Sequence, residues 1–547
     1  MTHRISTEAL ARLSSIRHQY GTEFQSLKKK LLQRIKPSHL HRTDEIGQFY
    51  HDLQFLMAYP DDKEIFTLAK NALNQLVQTI EEDENRQYQL GNSGLNGTTM
   101  CAAFGFEVCR WLQARFPHLV SLNSIDADEG QISAVLSVVL PKVESEILQD
   151  ENDDWKSWLQ KMTPEGGNML DTLLRVFDQA DMRPEVRDEL WNSLLIYTNT
   201  RLSLPVGLPD TLYQPFYHRS LVRKAELKDH AQEKPKLLHL RADEAQQIID
   251  CSRMVLLRHI REIDPITFTQ PDLVSYYQLS RGLTVALFGM APARRHPIDN
   301  YMGYVAFKNG MPIAYAGSWL LFDSGRIGLN VFPAYRGGES QYLFGQILEL
   351  HRQVYQLKRF SVDPYQIGKH NKDGIDSGAF WLYHSLGFEP IKSQQKMLAQ
   401  EENAKRIAHP KYRSPAPVLK KLADSRMELL LEGKPAKFDA TDLSIVYARL
   451  IKDQYNGDRK AADEQCFERL IKLLHLKKAY QDKNLAFVLK NWAVLLMANE
   501  KALRADKALQ RSLRQMFEWK ASGSEEDYLR MMRKEKVLRK WLEEMAM

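Results

Sequence analysis

The chain has 547 residues, a length that calls for two to four domains. Its 44% hydrophobic and 26% charged residues are values of a soluble globular protein and exclude a disordered or fibrous one. The net charge of +6 is small for this size; it suits a phosphate-bearing ligand or an acidic substrate, and with no recognised nucleic-acid-binding motif beside it, nucleic acid is not an expected partner. Four cysteines, none in a CxxC pair, argue against a zinc knuckle and for a reducing compartment. The first residues lack the apolar core of a signal peptide, and no run approaches the ~18 apolar residues of a membrane span, so a cytoplasmic protein is expected.

Taken in chain order, residues 1–230 read as an N-terminal helical domain. "EIGQFYHDLQFLMAY" and "EIFTLAKNALNQLVQTIEE" place apolar residues at three-four spacing. "TTMCAAFGFEVCRWLQARF" reads as a helix after the turn "LGNSGLNG", with Thr98 or Thr99 as N-cap, and "VRDELWNSLLIYTNTRL" reads as another. The charged stretch 223–236 reads as a linker. Residues 231–435 change pattern: a short strand at "KLLHL", a strong amphipathic helix at "DEAQQIIDCSRMVLLRHIREI", a buried strand at "GLTVALFGM", and alternating runs on both sides of Asn309-Gly310, a two-residue hairpin signal. Strand "GRIGLNVF", helix "ESQYLFGQILELHRQVY", strand "RFSVDPY", helix "SGAFWLYHSLG" and strands at "FEPI" and "RMELLL" complete an α/β pattern with a mixed sheet. Residues 436–547 return to amphipathic helices that fit a C-terminal bundle.

The most informative stretch runs from Gly328 to Phe388. A strand ends in Pro333, Tyr335, Arg336, Gly337, Gly338 and Glu339, and a helix begins there. Glycines let a backbone approach a ligand closely, and a helix N-terminus presents free N–H groups to an anion, with a pyrophosphate the natural candidate. Later come Ala379, Tyr383, Gly387 and Phe388. The two clusters, in this order, resemble the GNAT superfamily of acyl-CoA-dependent N-acyltransferases. The spacing of the second matches fully, whereas the glycine turn is one residue shorter than usual and carries Ser340 where a smaller residue is the rule.

The resemblance implies a central GNAT-like α/β domain with a mixed sheet, flanked by N-terminal and C-terminal all-α domains. It implies acetyl-CoA or another acyl-CoA as co-substrate, without a metal, and an amine acceptor that is a small molecule or a protein; an acyl carrier protein could serve as donor. Leu329, Asn330, Val331 and Phe332 would line the pantetheine arm. Arg336, Gly337, Gly338, Glu339 and Ser340 would cradle the pyrophosphate. Tyr383 would protonate the leaving thiolate, since a phenol's pKa of about 10 lies close to that of a thiol. The general base stays open among Glu339, Asp363, His370, Glu389 and a water chain, and Asn371 could stand in for the family's asparagine before the second helix. A second reading makes the module non-catalytic, binding CoA or nothing while the helical flanks act as a scaffold. A third keeps the fold and takes an aminoacyl-tRNA donor.

Overall fold

The computed structural model describes residues 2–149, 154–203, 206–227 and 234–547; the stretch 223–236, read as a linker, lies partly outside them. Four helices open the chain at Thr2–Ile16, Thr22–Arg34, Thr43–Ala58 and Lys63–Glu81. The Asp62 carboxylate caps the fourth by accepting from the Ile65 amide, one of the donors a helix start leaves unpaired. Leu13, Phe49, Leu53, Leu56, Ile65 and Leu76 form their buried stripe, at the three-four spacing that one face of a helix requires.

The next part is not all helical. Strands β1 (Thr99–Ala103), β2 (Val120–Ile125) and β3 (Ile196–Arg201) form an antiparallel sheet in the order β1-β3-β2. The segment expected to be one helix from Thr98 instead runs as β1, turns at Gly105, whose amide donates to the Glu262 carboxylate, and only then becomes the Phe106–Arg115 helix. Likewise the last expected helix ends at Ser193, Leu195 takes a φ of 48°, and the β-branched run "IYTNTR" pairs along both neighbours. A short apolar run does not declare helix or strand; its cross-strand partner decides.

The central sheet comprises β4 (Lys236–Leu238), β5 (Val274–Gln278), β6 (Leu283–Phe288), β7 (Asn300–Lys308), β8 (Met311–Leu321), β9 (Ser324–Ile327), β10 (Asn330–Val331), β11 (Arg359–Val362), β12 (Glu389–Pro390) and β13 (Met427–Leu430). Their order is β12-β13-β11-β9-β8-β7-β6-β5-β4, with β10 continuing along β8. β9 and β11 are parallel, and the other strand pairs are antiparallel. The sheet is therefore mixed, as the pattern predicts. Asn309 and Gly310 take φ of 48° and 76°, the left-handed pair that a tight hairpin needs. The Asn309 side chain fixes the turn by donating to the Ala58 and Phe216 carbonyls and accepting from the Phe216 amide.

One continuous apolar core joins the first four helices to this sheet and to the Ala242–Arg258 and Ser340–Tyr355 helices. A second core surrounds β1–β3. A third belongs to the C-terminal helices, around Trp492, Leu513 and Tyr528, and takes in Leu321 and Phe322 from the β8–β9 turn. Phe322 holds a φ of 54°, uncommon for a bulky residue, and its ring packs edge-on against Phe438. Lys520 fastens the same junction from the other side: its ammonium, fully buried, donates to the Asp299 carbonyl, Asn300 Oδ1 and Glu525. Among the described residues no helix is long and apolar enough to cross a membrane.

Candidate functional site

The parallel pairing of β9 and β11 covers Ser324, Gly325 and Arg326 opposite Arg359, Phe360 and Ser361. Beyond it, Asn330 and Val331 stay hydrogen-bonded to β8, while the chain after β11 turns into a short helix at Pro364–Ile367. The two strands therefore part next to Leu329, the first of the residues that the resemblance assigns to a pantetheine arm. Gln366 lies over Gly328, so close that a Cβ at Gly328 would sit 2.8 Å from its amide carbon. The peptide between Gly328 and Leu329 is satisfied at both ends. Its carbonyl accepts from the Tyr304 hydroxyl at 2.5 Å, and its N–H donates to the Tyr383 hydroxyl at 3.1 Å.

Tyr383 is 1% exposed and packs edge-on against Phe344 and Phe388. Burial drives its pKa well above that of a free phenol, and the Leu329 amide pulls only weakly the other way. Leu329 is buried and Asn330 and Val331 half-buried; Phe332 is stacked between His259 and Tyr315.

The glycine turn is built as the sequence suggests; Arg336 and Gly337 are exposed, and Gly338 and Glu339 are buried under groups the sequence does not show. Pro333–Tyr335 forms a single tight turn, Gly337 takes a φ of 81°, and the helix begins at Ser340. Tyr59, at the end of the Thr43–Ala58 helix, lies against Gly338, where a Cβ would meet its hydroxyl oxygen at 3.0 Å. His18 lies against Gly337. Arg336 turns outward, half exposed, with Asp373 at 3.5 Å. The irregular segment 221–226 crosses the helix start: the Val222 amide donates to Glu339 Oε1, and Gln341 donates to the Ala225 carbonyl.

Glu339 itself points inward. It is 1% exposed and accepts from Lys308 at 2.7 Å and from Arg281, with His218 Nε2 at 3.9 Å. Burial alone would raise its carboxyl pKa, but Lys308, Val222 and Arg281 together bring it below the ordinary value. Burial pushes Lys308 down to about 8 despite the carboxylate beside it. His218, also buried, is pushed down to about 3 by burial and by Lys308, and neither ring nitrogen has a hydrogen-bond partner among the described residues. Tyr59, Tyr304, Lys308, Arg281 and His218 carry no sequence signal. Lys308 is the last residue of β7, immediately before the Asn309-Gly310 turn.

The other base candidates are scattered. Asp363 faces Arg326 at 3.5 Å, Glu389 pairs with Lys396 at 2.5 Å, and His370 sits exposed at a φ of 55°. Asn371 caps the Lys372–Asp376 helix by accepting from the Gly374 amide. A separate cleft of about 920 Å³ opens between the Lys63–Glu81 helix, the 206–213 segment and the Ala242–Arg258 helix, with Leu73, Met254 and Met311 in its wall and Lys70 facing Asp210 across 3.7 Å. Comparison of the chain with protein-family models, with curated proteins and with solved structures finds no match.

Proposed function

We propose that this chain is a non-catalytic binding or scaffold protein that carries a GNAT-like module. Support for the module is the strand order, with β13 set between β11 and β12, and a parallel β9/β11 pair joined through the glycine turn and the Ser340–Tyr355 helix. One observation carries the loss of catalysis: the Leu329 backbone amide, in the strand that would hold the pantetheine arm, already donates to the buried Tyr383 hydroxyl, and the Tyr59 ring lies against Gly338 in the turn. A donor already engaged in a buried hydrogen bond offers a ligand only an exchange of partners. A phenol in an apolar pocket, with burial holding its proton, also makes a poor acid at neutral pH.

The test is calorimetry with acetyl-CoA and with CoA, followed by thiol release across an amine panel. No heat of binding and no thiol release are expected. A second reading, transfer of an acetyl or longer acyl group from acyl-CoA to an amine with Tyr383 as acid, draws support from the parting of β9 and β11 and from the left-handed Gly337 before a helix start. Thiol release that Tyr383→Phe abolishes would establish it and overturn the scaffold reading.

A further inference from the structure

One face of the central sheet carries a row of side chains in lateral register. Tyr301 lies opposite Trp319, Trp319 opposite Arg326, Arg326 opposite Ser361, Ser361 opposite Glu428 and Glu428 opposite Glu389. The aromatic end is rigid. Tyr301 and Trp319 stack at 4.3 Å and 8°, and Tyr301 reaches that position because Gly317 has no Cβ, which would meet its ring at 2.4 Å. The Arg326 guanidinium lies 4.6 Å over the Trp319 ring, an arrangement that fixes a planar cation.

Among the described residues Arg326 makes no hydrogen bond; its buried Nε faces Asp363 Oδ2 in an ion pair at 3.5 Å, and its two terminal nitrogens make no hydrogen bond or ion pair. The neighbouring arginines differ, since Arg359 donates to Asp323 at 3.1 Å and Arg426 to Asp439 at 2.9 Å. Two strands from Arg326, roughly 10 Å away between Cα atoms, Glu428 is half-buried and accepts no hydrogen bond from a described residue. Burial raises its carboxyl pKa, and Arg426 and Arg359 pull it partly back. Among the described residues the Ser361 hydroxyl between them makes no hydrogen bond. A cleft of about 270 Å³ lies over this row, closed on the far side by the 436–442 segment that leads into the C-terminal helices.

We infer that this cleft binds a small zwitterion of amino-acid size, its carboxylate on the Arg326 fork and its ammonium on Glu428, with Ser361 between. A planar guanidinium matches a carboxylate bidentately, and a half-buried carboxylate without donors matches an N–H cation. The inference is independent of the acyl-CoA question, because it uses neither the glycine turn nor Tyr383.

The experiment is calorimetry on the full chain with each proteinogenic amino acid, and with sodium acetate and methylammonium chloride as half-ligands. At least one amino acid is expected to bind, and both half-ligands are expected to bind far more weakly. Arg326→Lys, which keeps the charge and loses the fork, should weaken binding about tenfold or more, and Glu428→Gln about tenfold. Ser361→Val leaves both charges in place and fills the cleft, so it should abolish binding with thermal stability unchanged. No amino acid binding, acetate binding as tightly as the amino acid, or full binding by Ser361→Val would each overturn the assignment.

Discussion

Replacing Glu339 with Gln tests the part of the turn that sequence could not show. The carboxylate accepts from Lys308, Arg281 and the Val222 amide. Gln keeps the shape and removes the charge, so one of its two ends must present N–H to donors. Arg281 has somewhere to go: its side chain is 22% exposed and already donates to the Ser220 carbonyl. Lys308 does not, with a side chain 2% exposed. The variant therefore leaves a buried ammonium uncompensated, which costs about 3–5 kcal/mol. Urea unfolding near pH 7, read from the first cooperative transition, measures this loss. The pH dependence identifies its cause. Lys308 loses its proton above about 8 in the native chain, so the carboxylate stabilises it below that value and little above it, and the penalty of Glu339→Gln should shrink toward about pH 9.5. A double variant, Lys308→Met with Glu339→Leu, should recover much of the loss, since a well-packed apolar pair replaces a buried ion pair at little net cost. A loss under about 1 kcal/mol at both pH values, or one that grows with pH, would refute the reasoning.

Acid should destabilise the protein from about pH 6.5 downward. His218 and His18 have folded pKa values pushed down to about 3 and about 4, below the unfolded value near 6.5, so unfolding takes up protons as pH falls and their neutral burial is lost. His218→Phe should flatten that arm of a urea-midpoint profile, and an unchanged slope would count against it. Gly310→Ala should destabilise by about 3 kcal/mol or more, because the new Cβ would meet the Tyr213 ring at 2.3 Å. Gly457→Ala, at a φ of 83° in open space, should cost only about 1 kcal/mol, and equal melting shifts would show that backbone strain alone governs both. Lys520→Met should loosen the C-terminal helices, seen as faster limited proteolysis between residues 430 and 547, because Asn300, Glu525 and the Asp299 carbonyl lose their buried donor.

What sequence could read depended on the range of the interaction. The hairpin at Asn309-Gly310, the six-residue run Leu283–Phe288 that is buried throughout, and the helix after Glu339 follow from local chemistry, and each is where its residues place it. Strand β1 was hidden because "TTMCAA" has no distinguishing period and gains its identity from Thr198 and Thr200 almost a hundred residues away. Only the family resemblance pointed to Leu329, Asn330, Val331 and Phe332 as the lining of an arm site, and nothing local showed what fills the space beside them: Gln366, Tyr304 and Tyr59 come from three separate segments, and a tyrosine that hydrogen-bonds the backbone has the same letter as one that packs in a core.

The arrangement at the turn sets how hard an acyl-CoA would have to compete. Tyr59 ends a helix whose Phe49, Leu53, Phe55 and Leu56 are fully buried in the core shared with the sheet, so it cannot swing away from Gly338 alone. Clearing the cradle means moving the Tyr59 ring off Gly338, unstacking it from Phe55 at 4.8 Å and lifting His18 from Gly337. If opening costs about 4 kcal/mol, an intrinsic micromolar affinity falls about a thousandfold, to roughly millimolar. Tyr59→Ala removes the occupant without touching the turn. Calorimetry with CoA should then show binding that the native chain lacks, whereas silence in both would mean that Tyr59 is not the barrier and that the scaffold reading needs no competition to explain it.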